Sequence, residues 1–385
     1  MAKIISFFMS VLMFLFPALN IPEVNVDKTN FKTEYVNIFV HGYAGWGDEN
    51  WYNALLPYWG MQNGDLMKYL TARGFESHAA SVSPTSSAWD RACELYAELT
   101  GTVTDYGEAH SESCGHERYG KDYSKEKLLE NWSAEEKINL FGHSFGGATV
   151  RMLTELLANG SEEERAAGND VSPLFEGGKA DWVHSVVTVS APHNGTSSYD
   201  VQELISSDPD ATAAEKAIAK TIMGISQVTN VGKSESDTAI YEMQIDHAME
   251  LNEKISTLEN VYYFSFACDG TKLDENNVRV PDEEILKNPM YVIVSNRLCS
   301  FTGVTPNGYV IDEKWQANDG LINTYSALCP LGAPSKAFDE NNIEKGVWNV
   351  MEVQPGDHST LQGAMNDYFN GREFYVNLLS MINSL

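Results

Sequence analysis

Cysteine is scarce in this chain of 385 residues. There are five, Cys93, Cys114, Cys268, Cys299 and Cys329, widely spaced and odd in number. That excludes a disulfide scaffold, and the lack of any CxxC pair excludes a cysteine-based zinc motif. Basic residues are also few, 26 Lys and Arg against 54 Asp and Glu, for a net charge of −28. Such a surface repels phosphate backbones and anionic lipid, so neither nucleic acid nor a polybasic membrane contact is expected as a partner. Internal repeats and low-complexity tracts are absent. Long apolar runs are missing after the first twenty residues. The run from Ile4 to Leu19, preceded by one lysine, is short for a membrane span and reads as a secretory signal peptide over residues 1–20, with an uncleaved anchor as the lesser alternative. No stable membrane insertion is expected after its cleavage. At 43% hydrophobic residues, the remainder can bury a sizeable core. Residues 21–385 are therefore expected to form one secreted globular domain; its oligomeric state is open.

What is present is an alternation of strand-like and helix-like segments. "YVNIFVHGY" (35–43), "ESHAASV" (76–82), "KINLFGHS" (137–144), "WVHSVVTVSAPH" (182–193) and "VYYFSFA" (261–267) read as buried strands. Helical patterns fall near 62–73, after Ser144 as far as Gly160, and from about Leu361 to Leu385. This order predicts an α/β fold with a mostly parallel sheet covered by helices on both faces. Two segments break the rhythm and read as insertions: polar 86–125, and 194–258 with few strand signals.

The stretch "FGHSFGGATVRML" carries the chemistry. Gly142-His143-Ser144-Phe145-Gly146 falls where a strand ends and a helix begins, the setting a nucleophile elbow requires. A bare Gly-x-Ser-x-Gly string is weak; the strand–turn–helix context makes Ser144 a candidate nucleophile. A serine hydroxyl needs a base and an orienting carboxylate, which follow in the order Ser, Asp or Glu, His in such folds. Four histidines follow Ser144. His184 lies inside a strand, His193 ends one, and His247 lies in the second insertion. His358, in "QPGDHSTL" before the last helix, is the candidate base. Asp319 in "WQANDG" is the expected acid, with Asp357 as its rival. The N–H groups of Phe145 and of Tyr43, after the His-Gly turn, are the expected oxyanion donors. Read alone, that turn is equally consistent with an ordinary loop. Asp90, His110 and His116 are ligand types suited to zinc. The histidine spacing is not that of one helical face, so at least one ligand must sit on a loop; two solvated histidines are the plainer reading of these residues alone.

Taken together, "HGYAGWG", "SAWDRACELYAELTGTVTDYGEAH", "GHSFGG", "SPLFEGG", "APHNGT", "WQANDG" and "KGVWN" resemble the secreted bacterial lipases of group I.5, the thermoalkalophilic and staphylococcal type. The likeness runs from about Tyr35 to the C-terminus. It implies an α/β-hydrolase fold, a triad at Ser144, Asp319 and His358, and a structural zinc on Asp90, His110 and His116, with Asp246 of "YEMQIDHAMEL" as fourth ligand. Three departures stand out. The segment between "APHNGT" and "VYYFSFA" is shorter than in full-length relatives, implying a truncated lid. Ser359 and Thr360 follow His358 where the family keeps an acid, which puts calcium in doubt. Phe145 replaces a frequent glutamine, of which only the backbone matters for the oxyanion.

The function implied is a secreted serine carboxylester hydrolase acting through an acyl-enzyme on short- to medium-chain acyl esters or triacylglycerols. Shorter-lid relatives resemble esterases, some of which also cleave aliphatic–aromatic polyesters, so the resemblance implies synthetic polyesters as a further candidate substrate. Competing functions are an acyltransferase or thioesterase on the same triad, a metal-dependent hydrolase, and a non-catalytic zinc-stabilised binding protein.

Overall fold

A computed structural model describes residues 34–168, 170–220, 234–363 and 368–385. The expected signal peptide (1–20) and part of the second insertion (221–233) lie outside them. Seven strands build the central sheet: β1 (Val36–Val40), β2 (Ser77–Ala80), β3 (Ile138–His143), β4 (Val183–Val189), β5 (Tyr262–Phe266), β6 (Ser335–Ala337) and β7 (Trp348–Val350). Their spatial order is β6-β7-β5-β4-β3-β1-β2, and every pairing is parallel.

Parallel strands covered on both faces read as continuous apolar runs, and the two-residue period of a strand sorts them. Ile38, Val40, Leu140 and Val186 turn to one face, under helices α2 (Ala88–Thr100) and α4 (Gly146–Asn159). Phe39, Phe141, Val187 and Phe264 turn to the other, under α1 (Leu66–Ala72) and the final helix α8 (Gly371–Ile382). On that face Phe39 and Phe141 stack at 4.3 Å, with Tyr375 edge-on to Phe39 at 5.5 Å. Register is pinned by a buried polar ladder. Asn139 donates to Asn37 Oδ1 at 2.9 Å, and Ser185 donates to Asn139 Oδ1 at 2.8 Å, across positions that pair directly. A one-residue slip would strand these groups unpaired in the core, at a cost of about 1–3 kcal/mol each.

The first insertion holds α2 and α3 (Glu108–Cys114). The second holds α5 (Ala239–Glu242) and α6 (Ile245–Lys254). A further helix, α7 (Pro289–Leu298), follows β5. All five cysteines are free thiols. Among the described residues no helix is long and apolar enough to cross a membrane.

Candidate active site

β3 delivers the chain to Ser144 at the C-terminal edge of the sheet, and α4 begins two residues later. Ser144 sits at φ 53°, in the left-handed region that non-glycine residues seldom adopt. Its N–H is tied to Val189 O at 3.0 Å and its C=O to Gly147 N at 2.9 Å, which together hold the turn. Small neighbours are obligatory here. A Cβ on Gly146 would lie 2.3 Å from Val40 O, and one on Gly142 would lie 2.5 Å from the Gly146 backbone.

The Ser144 hydroxyl faces His358 Nε2 at 2.9 Å, and His358 Nδ1 faces Asp319 Oδ2 at 2.9 Å. A carboxylate only accepts, so Nδ1 carries the proton and Nε2 is left as the acceptor for the serine O–H. Asp319 has no spare reach: its Oδ1 already takes the Leu321 and Ile322 amides at 3.0 and 2.7 Å. The His358 amide also donates to Asp319 O at 2.8 Å, locking the two loops together. All three residues are buried.

The rival acid, Asp357, turns away from the imidazole. Its Oδ1 accepts the Ser359 amide and the hydroxyls of Ser359 and Thr360, each at 3.0 Å, while Oδ2 is buried with no hydrogen-bond partner among the described residues. Burial lifts its carboxyl pKa to about 6, and the nearby Asp319 adds to the rise against the lowering effect of the turn's own hydrogen bonds. The remaining histidines have other partners. His184 contacts Ile382 O at 3.2 Å, His193 contacts Thr188 Oγ1 at 2.9 Å, and His247 contacts Glu250 at 3.1 Å.

The loop after β1 passes directly over the nucleophile: a Cβ on Gly42 would lie 2.6 Å from Ser144 Cβ. Tyr43 follows at once, and Phe145 occupies the N-cap of α4 with its amide at the positive end of the helix. Two residues not singled out from the sequence brace this corner. The Gly42 amide donates to Tyr58 Oη at 2.9 Å, the Tyr58 hydroxyl lies 2.7 Å from His143 Nδ1, and His143 Nε2 lies 2.8 Å from His358 O. A carbonyl only accepts, so Nε2 carries the His143 proton and Tyr58 donates to Nδ1. Burial pushes the His143 pKa down to about 3, which keeps that ring neutral.

A second cluster lies where the two insertions meet. His110 Nε2 is 3.1 Å from Asp90 Oδ1 and 3.4 Å from Asp237 Oδ1. His116 Nε2 is 3.6 Å from Asp90 Oδ1 and 3.3 Å from Asp237 Oδ2. A tetrahedral centre with bonds of about 2.0–2.1 Å has ligand separations of about 3.3–3.4 Å, and these four distances bracket that value. The other ring nitrogens face away, His116 Nδ1 to Glu117 O at 2.8 Å and His110 Nδ1 to Cys114 Sγ at 3.9 Å. Burial opposes protonation of His110, yet the Asp237 and Asp90 carboxylates beside it carry its pKa up to about 9. His116 sits just past the Gly115 cap of α3, the loop position its spacing demands.

Asp246, the expected fourth ligand, is not part of this cluster. It opens α6 and accepts instead from the Thr305 hydroxyl and, at 3.0 Å, the Asn307 amide. Asp237 lies against the two histidines instead, because the chain around it is stitched to the segment leading into α2. Thr238 bridges Ser86, the Ala239 amide donates to Thr85 O at 3.0 Å, and Glu242 takes the Ala88 amide at 2.6 Å. That pairing delivers Asp237 beside Asp90.

Comparison with known proteins gives this geometry a family. A profile described as "Lipase-like, C-terminal domain" matches residues 33–206. The structure of EstA from Clostridium botulinum superposes with a TM-score of 0.78 at 32% identity, covering 95% of this chain and 93% of that one. The Staphylococcus hyicus lipase superposes at TM-score 0.75 and 28% identity, covering 95% and 99%. Lipase 1 of Staphylococcus aureus is 31% identical over 361 residues, 84% of this chain. The chain belongs to the staphylococcal-type lipase family. Its sheet and helices are those of an α/β-hydrolase. It spans about half (51%) of the length of the S. aureus and Staphylococcus epidermidis lipases it matches. Against the staphylococcal-type pattern, Ser144, Asp319 and His358 are brought together and the Asp90–His110–His116 group is too. Asp237, Tyr58 and His143 escaped the sequence reading because none lies in a spacing that betrays its partner.

Proposed function

We propose that this chain is a secreted serine carboxylester hydrolase that works through an acyl-enzyme. The observation that carries the reading is the unbroken chain from Ser144 Oγ to His358 Nε2 and from His358 Nδ1 to Asp319 Oδ2, 2.9 Å at each step, on a strained strand-to-helix turn. Ser144 attacks the ester carbonyl as His358 takes its proton. The imidazolium, steadied by Asp319, then protonates the leaving alcohol, and water attacks the acyl-serine by the same route. The Tyr43 and Phe145 amides receive the charge that develops on the carbonyl oxygen. A donor of this kind contributes about 3–4 kcal/mol to the transition state. Short- to medium-chain acyl esters or triacylglycerols are the proposed substrates, with synthetic polyesters as a further class of the same bond. Residues 1–20 serve as signal peptide, and 21–385 form one domain carrying the two insertions.

The direct test is labelling with diethyl p-nitrophenyl phosphate, read by intact mass and peptide mapping. One diethylphosphoryl group on Ser144, with parallel loss of p-nitrophenyl butyrate hydrolysis, is expected. Labelling elsewhere, or activity surviving full labelling of Ser144, would sink the proposal.

Asp90, His110, His116 and Asp237 are proposed to hold a structural zinc. When bound, the metal supplies a cross-link between the two insertions and no chemistry at the ester. Adding zinc to metal-free protein should raise Tm by roughly 5 °C at a free concentration about 100-fold above Kd. Asp237→Ala should abolish that rise and Asp246→Ala should keep it, as followed by differential scanning calorimetry; the opposite pattern would restore Asp246 as ligand.

A further inference from the structure

Arg91 follows the zinc-site residue Asp90 on α2 and is completely buried, yet it forms no ion pair among the described residues. Its guanidinium is spent on backbone oxygens instead. Nη2 donates to His41 O at 2.5 Å and Nη1 to Gly42 O at 3.4 Å, while the group lies over the Phe145 ring, 5.3 Å from its centroid. Glu94 and Glu242 act on the guanidinium only from beyond ion-pair distance, and burying a cation without a direct counter-ion is costly, which makes a placement serving only to fill space a poor explanation.

The Gly42 carbonyl and the Tyr43 N–H belong to one planar trans peptide unit, so they point in opposite directions. Whatever fixes the Gly42 oxygen therefore aims the Tyr43 amide. Three groups converge on that oxygen: Arg91 Nη1, His41 Nδ1 at 2.8 Å and the Gly45 amide at 3.2 Å. The preceding peptide is held from both ends, by Arg91 at His41 O and by Tyr58 at the Gly42 amide. A cation on the carbonyl side also polarises the unit and strengthens its N–H as a donor. Phe145, the residue of the second amide, is braced by the same guanidinium.

We propose that Arg91 is a positioning residue of the oxyanion hole, its guanidinium fixing the His41 and Gly42 carbonyls so that the Tyr43 amide points at the developing oxyanion. This rests on the serine-hydrolase reading above. Because the amide works in the transition state, loss of Arg91 lowers kcat and leaves KM nearly unchanged.

The test compares Arg91→Met and Arg91→Lys with the wild type in the full chain, measuring kcat and KM for p-nitrophenyl butyrate, the inhibition constant of butylboronic acid, and Tm. The boronate forms a tetrahedral serine adduct whose oxygen occupies the same hole. A kcat loss of about 10–100-fold is expected for Arg91→Met, with a smaller loss for Arg91→Lys, whose single ammonium cannot span two carbonyls. The boronate constant should weaken in step while KM stays within about threefold. A folded variant with kcat and boronate affinity both within about threefold of wild type overturns the proposal, as does a change confined to KM. If Arg91→Met does not fold, Arg91→Lys decides alone by the same criteria. Wild-type protein without esterase activity, or a Ser144→Ala variant as active as wild type, overturns the serine-hydrolase reading itself and the role of Arg91 with it.

Discussion

Ser144→Ala should lower kcat for p-nitrophenyl butyrate by about 10⁴–10⁶-fold while leaving Tm within a degree or two of wild type. The size follows from the loss of the acyl-enzyme route altogether. Without Oγ, His358 has no proton to take, and catalysis falls to whatever the Tyr43 and Phe145 amides give to direct attack by water. The small effect on stability follows from the geometry. The turn at φ 53° is held by backbone bonds, Ser144 N to Val189 O and Gly147 N to Ser144 O, and alanine keeps both. The hydroxyl contributes one further contact, to His358. Initial rates beside a melting curve make the check. If the variant hydrolyses the ester like wild type, and a chelator stops both, the chemistry belongs to the metal-ligating cluster and the elbow is structural.

The elbow was legible because three local signals coincide within about twenty residues: an apolar strand, glycines flanking a serine, and a helical repeat ending at Gly160. The inner strands were legible for a similar reason, since a sheet buried on both faces leaves continuous apolar runs. β6 and β7 were not. "SKA" and "WNV" are three residues each, too short for any period to register, and they join the sheet only through their neighbours. The final helix starts at Gly371, ten residues after the expected Leu361, because Thr360, Leu361, Gln362 and Gly363 are occupied in a turn against Tyr58 and Gly60. The proposed zinc cluster was half legible. Asp90, His110 and His116 stand in one polar segment, whereas the choice between Asp237 and Asp246 depends on how α5 is stitched to the start of α2. Arg91, Tyr58 and His143 show the limit most plainly: each acts through backbone atoms far away in sequence, and a backbone atom has no signature in the sequence.

Two aspartates competed for the acid, and substitution should separate them by orders of magnitude. Asp319→Asn is expected to cost about 10⁴-fold in kcat with little change in KM. An amide can present its NH₂ to His358 Nδ1, which forces the proton to Nε2 and turns the base into a donor facing Ser144. The two backbone amides on Oδ1 would still hold the loop, so the protein should fold. Asp357→Asn touches neither partner of His358 and should change kcat less than about fivefold, because an amide oxygen can still accept from Ser359 and Thr360. Its effect should appear in stability instead. A folded-state pKa of about 6, above that of an exposed aspartate, means the native protein holds a proton the unfolded chain has lost. Wild-type stability should therefore fall as pH rises from about 4 through about 6, where Asp357 is forced to ionise beside Asp319. Asp357→Asn should flatten that fall, which urea denaturation at pH 4.5 and pH 7.5 would reveal. A variant with the wild-type slope, or an Asp357→Asn enzyme as crippled as Asp319→Asn, would mean that the two carboxylates share the imidazole.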